Sequence, residues 1–153
     1  MVKVDLEGTF PAPRDKLWEL FRMHLDEATI KQIHPEILSD KTVSRSPSLE
    51  SQGGDWVVER IVTIRGKASK MIWKYKMTPL ERLRFDIVES DGPLSEGSFV
   101  DSTYDEVPGG TLISTRAEII LHGVPRFMQG WAARRLLNQI DKGDLNYFRK
   151  IKL

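Results

Sequence analysis

The sequence predicts an α+β fold in which antiparallel strands present one dry face to a single long C-terminal helix. Three observations predict it. Between residues 37 and 121, short alternating apolar–polar runs are separated by turn residues. From about residue 126 to 150, helical spacing runs almost to the chain end. The strands themselves carry charge on one face and apolar side chains on the other, so the sheet requires a cover.

In order along the chain, Val2, Val4 and Leu6 alternate with Lys3, Asp5 and Glu7, the pattern of a half-buried first strand. Pro11-Ala12-Pro13 stops it, and proline suits a helix start. Leu17, Trp18, Leu20 and Phe21 then recur at helical spacing, predicting a short helix over Arg14–Met23. A second helix is predicted over 26–34, with Ile30 and Ile33 on one side and Pro35 ending it. Six strands are predicted at about 37–44, 56–65, 68–77, 83–89, 97–106 and 111–121. Their separators are Gln52-Gly53-Gly54, Arg65-Gly66-Lys67, Thr78-Pro79, Asp91-Gly92-Pro93 and Pro108-Gly109-Gly110, short connectors that favour a meander over a doubly wound parallel sheet. The stretch 44–54 reads as the most loop-like.

Strand parity identifies the dry face. Met71, Trp73, Tyr75 and Met77 oppose Lys70, Lys74 and Lys76; Leu83, Phe85 and Ile87 oppose Arg82, Arg84 and Asp86. Ile113, Thr115, Ala117, Ile119 and Leu121 oppose Ser114, Arg116 and Glu118. The covering helix offers Phe127, Trp131, Leu137, Ile140 and Phe148 as roughly one stripe, with small residues Gly130, Ala132 and Ala133 beside Trp131. Gly143-Asp144 is expected to kink or weaken its last turns.

Composition narrows the partners. The 153 residues are most simply one domain, 1–153, and 23 Lys plus Arg against 22 Asp plus Glu gives a net charge of +1. That balance offers no basis for a nucleic-acid or anionic-membrane partner. The chain contains no cysteine, which excludes disulfides, thiolate nucleophiles and Cys-ligated metals. No apolar run approaches the ~20 residues of a membrane-spanning helix, and the N-terminus lacks a signal-peptide core. A soluble, cytoplasmic protein without an integral membrane segment is expected.

The order of elements resembles the helix-grip proteins of the START/Bet v 1-like superfamily, which includes polyketide cyclases and lipid-transfer domains. Phe10-Pro11-Ala12-Pro13-Arg14-Asp15-Lys16-Leu17-Trp18-Glu19-Leu20 is similar to that superfamily's opening, where a strand passes through a proline turn into a Trp-bearing helix. Ile33-His34-Pro35-Glu36-Ile37 resembles its second-helix exit, and Gly109-Gly110-Thr111 with His122-Gly123-Val124-Pro125 resembles the approach to its grip helix. The resemblance covers nearly the whole chain. It implies a seven-stranded antiparallel sheet wrapped around the long helix, a cavity between them, and a hydrophobic or amphipathic small-molecule partner. It supplies no universal catalytic motif.

Met71, Trp73, Tyr75 and Phe85 have two readings: ordinary core, or the wall of that cavity, where thioether and aromatic groups suit an apolar ligand. Thr115, Phe127 and Trp131 complete the expected lining. Arg60 stands out because it shares the parity of Trp56, Val58, Val62 and Ile64. A regular strand turns it inward, where it must pair with a carboxylate, Asp101 or Glu118, or with an anionic ligand group. A bulge or an outward-snorkelling side chain would remove that requirement. His24, His34 and His122 lack the spacing of a helical metal pair and read as surface or capping residues. No phosphate loop and no nucleophile elbow is present. The expectation is therefore a binding or transport module for a lipid, isoprenoid or polyketide-like molecule, with no metal and no cofactor. The competing readings are a cyclase or dehydratase using Tyr75, Arg60 and a carboxylate, and a co-chaperone-like interaction module.

Overall fold

A computed structural model describes residues 1–151. Seven strands form one antiparallel sheet: β1 (Val2–Phe10), β2 (Ile37–Arg45), β3 (Gly54–Ile64), β4 (Lys67–Thr78), β5 (Arg82–Ser90), β6 (Phe99–Val107) and β7 (Gly110–Ile119). Their order is β1-β7-β6-β5-β4-β3-β2, so β1 closes the far edge of the meander by pairing with β7. The short helices α1 (Arg14–Met23) and α2 (Glu27–Ile33) fill the crossover from β1 to β2. A single helical turn, α3 (Leu49–Gln52), follows β2, and a 3-10 turn (Arg126–Met128) leads into α4 (Gln129–Ile151).

Local chemistry accounts for these boundaries. Asp26 caps α2, its carboxylate accepting from the Thr29 amide at 3.0 Å. The stretch 44–54, expected as a loop, contains α3 because Leu49 is 1 % exposed and pins the turn to the core. Gly110 begins β7 where a Cβ would lie 2.0 Å from the Phe10 carbonyl oxygen, so only glycine lets β1 and β7 approach there. The helix α4 runs unbroken through Gly143, from Gln129 to Ile151.

The two-faced sheet is as expected. Met71, Trp73, Tyr75, Met77, Phe85, Ile87, Ala117 and Ile119 are buried, while Lys70, Lys74 and Lys76 are exposed. On α4 the inward stripe is Ala133, Leu137, Ile140, Asp144 and Phe148, at steps of four, three, four and four. Only Ala133, Leu137 and Asp144 of this helix are fully buried, so α4 covers the sheet thinly. Phe148 anchors its far end, packing edge-on against Phe10 with ring centroids 5.2 Å apart. Among the described residues, no helix is long and apolar enough to cross a membrane.

Removing the chain after Val124 would uncover Phe10, Phe21, Phe85 and Val100 together. At ~1.5–3 kcal/mol for each large apolar side chain, the loss reaches the ~5–15 kcal/mol net stability of a typical domain. The truncated chain is expected to lack a cooperative thermal transition in circular dichroism; a sharp transition would show that α4 is dispensable for folding.

Candidate functional site

The expected gap between sheet and helix is present as a narrow cleft of about 80 Å³. One wall is the sheet, with Leu83 and Phe85 of β5, Val100, Ser102 and Tyr104 of β6, and Ile113 and Thr115 of β7. Leu17 and Phe21 of α1 close one side, and Leu137, Ile140, Asp141 and Asp144 of α4 form the lid. The lining is apolar except for a Ser102–Thr115 hydroxyl pair 2.9 Å apart, Tyr104 and the two carboxylates of α4. Its volume is well below the ~300–1,000 Å³ of ordinary small-molecule pockets.

The structure divides the residues expected to line this space. Phe85 and Thr115 do so. Met71, Trp73 and Tyr75 of β4 are buried in the core but do not line the cleft. Phe127 and Trp131 must be corrected: they are 87 % and 58 % exposed and lie outside the cleft. At ~100° per residue, Trp131 projects opposite Ala133 and Leu137, so it cannot share their stripe. It instead flanks Arg134, Arg135 and Lys142 on the outer face of α4, its ring 5.2 Å from the Arg135 guanidinium.

Arg60 does face inward, and β3 pairs with β4 without a bulge. Its partner is Asp40 of β2, at 2.6 Å from Nε, in place of Asp101 or Glu118. Its Nη1 donates to the Tyr75 hydroxyl. The rings of Trp56, Trp73 and Tyr75 surround the guanidinium at 4.9–5.2 Å from their centroids, supplying cation–π attraction where Nη2 has no hydrogen-bond partner. Asp40 is on the strand that cross-pairs with Arg60 directly, a register no sequence spacing reveals.

A second charged cluster was missed by sequence reasoning. His24 and His34 do close the C-terminal ends of α1 and α2, but their rings turn inward and converge on Asp144 of α4. Asp144 Oδ1 lies 2.9 Å from His24 Nε2 and 3.0 Å from His34 Nε2, and the two Nε2 atoms are 3.3 Å apart. Burial opposes charge here, but the bonds from His34 to Asp144 and Glu36 outweigh it and push the His34 pKa up to about 9. The Asp144 carboxylate is likewise raised by burial but held down at about 2 by His24 and His34. A usable signal was present: Asp144 sits within the apolar stripe of α4, as Arg60 sits within the apolar face of β3. His122, by contrast, binds the Ser95 hydroxyl at 3.0 Å, away from this cluster.

No protein-family model and no curated protein matches the sequence, whereas solved structures match it closely in shape. Ara h 8.0201 aligns at a TM-score of 0.74 and 17% identity, over 97% of this chain and 98% of that one. A START superfamily protein from Mycobacterium smegmatis aligns at 0.75 and 16% identity, over 97% and 98%. The Zhui aromatase/cyclase from Streptomyces sp. R1128 aligns at 0.67 and 15% identity, over 95% and 89%. The chain therefore has the helix-grip fold of the START/Bet v 1-like proteins. At these identities the likeness is one of fold.

Two outcomes follow from the buried polar groups. Arg60→Met leaves the Asp40 carboxylate, 2 % exposed, without its cation. Removing one member of a buried pair costs about 3–5 kcal/mol, which urea unfolding should register; a loss under about 1 kcal/mol, the range of an exposed pair, would contradict this. Burial also pushes the Tyr75 and Tyr104 hydroxyls above the usual tyrosine range. The stability this reflects is complete below about pH 10, the unfolded tyrosine pKa, and falls as pH rises past it, because the unfolded chain then binds fewer protons. In a Tyr147→Phe background, phenolate absorbance should appear only together with unfolding. Its appearance in folded protein near pH 10 would show that the two rings are solvated.

Proposed function

We propose that this protein binds a hydrophobic or amphipathic small molecule between its sheet and α4. The observation that supports this most is the cleft itself: an apolar lining with one hydroxyl pair and carboxylates at one side, the composition of sites that bury an apolar body and orient it by a few polar atoms. The thin cover supports it further. Ile140 and Phe148 of α4 are only partly buried, and a cleft of about 80 Å³ requires α4 to move outward for anything larger than a few heavy atoms. The likeness of fold to a START superfamily protein and to an aromatase/cyclase also supports the reading. A lipid, isoprenoid or polyketide-like ring fits the lining in character. The Arg60–Tyr75–Asp40 group lies outside the cleft, so a cyclase mechanism built on those residues receives no support from the geometry.

Thr115→Phe tests the reading by filling the cleft from the sheet side. Native mass spectrometry of the protein purified from its own host should show a retained small molecule in the wild type and its loss in the variant. Titration with an environment-sensitive apolar fluorophore should weaken by at least about tenfold, some 1.4 kcal/mol, with the thermal transition preserved. Undiminished binding by a folded variant would place the ligand elsewhere.

A further inference from the structure

His24, His34 and Asp144 bring three atoms of metal-ligand type to one point in the fold. His24 Nδ1 lies 2.8 Å from the Leu20 carbonyl oxygen, which can only accept, so Nδ1 carries the hydrogen. His34 Nδ1 lies 3.4 Å from the Glu36 carboxylate. His24 Nε2 is then free to present a lone pair to an ion, and it and His34 Nε2 lie 2.9 and 3.0 Å from the same Asp144 oxygen. Three potential ligand atoms thus converge, and His24 already makes the kind of outer hydrogen bond that orients metal-binding imidazoles.

The spacing suits a metal. Two ligand atoms ~2.1 Å from an ion are ~3.0 Å apart at right angles and ~3.4 Å apart at the tetrahedral angle. The three observed separations are 2.9, 3.0 and 3.3 Å. The backbone also makes room for the cluster. A Cβ at Gly143 would sit 2.8 Å from His34 Nδ1 and 3.1 Å from the Ile33 carbonyl oxygen, so the residue preceding Asp144 must be glycine for the His34 ring to stay in place.

We propose that His24, His34 and Asp144 form a binding site for a divalent first-row transition-metal ion. Two imidazoles and one carboxylate with open positions are the ligand set of zinc and non-haem iron(II) sites. Because Asp144 also lines the cleft, the remaining positions belong to water or to an oxygen or nitrogen atom of a molecule held there. The inference is independent of the ligand reading, since it concerns the ion alone.

The test is calorimetric titration of chelator-stripped, full-length protein with Zn²⁺ alone, with Co²⁺ absorbance as a second probe of coordination. One ion per chain is expected, with affinity lowered more than about 100-fold by His24→Gln or Asp144→Asn, beyond the ~10–100-fold cost of losing an outer partner. Gly143→Ala, which keeps all three ligands and favours helix, should weaken binding roughly 10–100-fold by displacing His34; His122→Gln should leave it unchanged. Should a ligand variant fail to fold, the wild type still decides the matter through nitrogen-15 NMR of the ring Nε2 atoms. Zn²⁺ should shift those of His24 and His34 and spare His122. Absence of stoichiometric binding by the wild type, equal affinity in folded His24→Gln and Asp144→Asn, or Zn²⁺-induced shifts confined to His122 would overturn the proposal.

Discussion

Everything in this structure depends on covering the dry face of one curved sheet. Seven strands turn Met, Trp, Phe, Val and Ile to one side and Lys, Arg and Glu to the other. Water is unfavourable on the first side by tens of cal/mol per Å² of apolar surface. Two short helices and one long one must exclude it. The long helix achieves this with a stripe in which only Ala133, Leu137 and Asp144 are fully buried. A cover this thin stabilises the fold and leaves a cleft under itself. The proposed ligand site rests on the same economy of packing.

Two ionisable groups occupy apolar faces, and the fold treats them differently. Arg60 is sealed: its cation is matched by Asp40, its hydrogens by Tyr75, and three aromatic rings enclose it. Such a group specifies how β2, β3 and β4 align more than it adds to net stability, because desolvation of the charges offsets much of their attraction. Asp144 is different. It gathers two histidines from two other helices and still forms part of the cleft wall. One charge is locked inside the core, and the other stands where a molecule in the cleft meets it.

The fold was legible because it rests on local periodicity. The parity of β4, β5 and β7 and the spacing in α1 are short-range patterns, and they place the buried residues correctly. The helix stripe was harder to read. Apolar residues occur on both sides of α4's first turns, and counting large side chains favoured Trp131 over the small Ala133 that is buried. The inward turn of Arg60 followed from parity, but its partner did not, because Asp40 meets it through strand pairing 20 residues away. The histidine cluster was invisible to spacing for the same reason: its members stand 10 and 120 residues apart and meet only after three helices pack. What the sequence did contain was a carboxylate at a buried stripe position beside a glycine, and that pair of features marks the cluster.

The central claim is that the space under α4 receives the ligand. It is tested most directly by amide chemical-shift mapping in isotope-labelled protein on addition of an amphipathic small molecule. The account predicts that the largest changes fall on Phe85, Val100 and Thr115 of the sheet and on Leu137 and Ile140 of the helix facing them. Changes confined to the outer face of α4, around Trp131, Arg134 and Lys142, with the cleft residues silent, would contradict it.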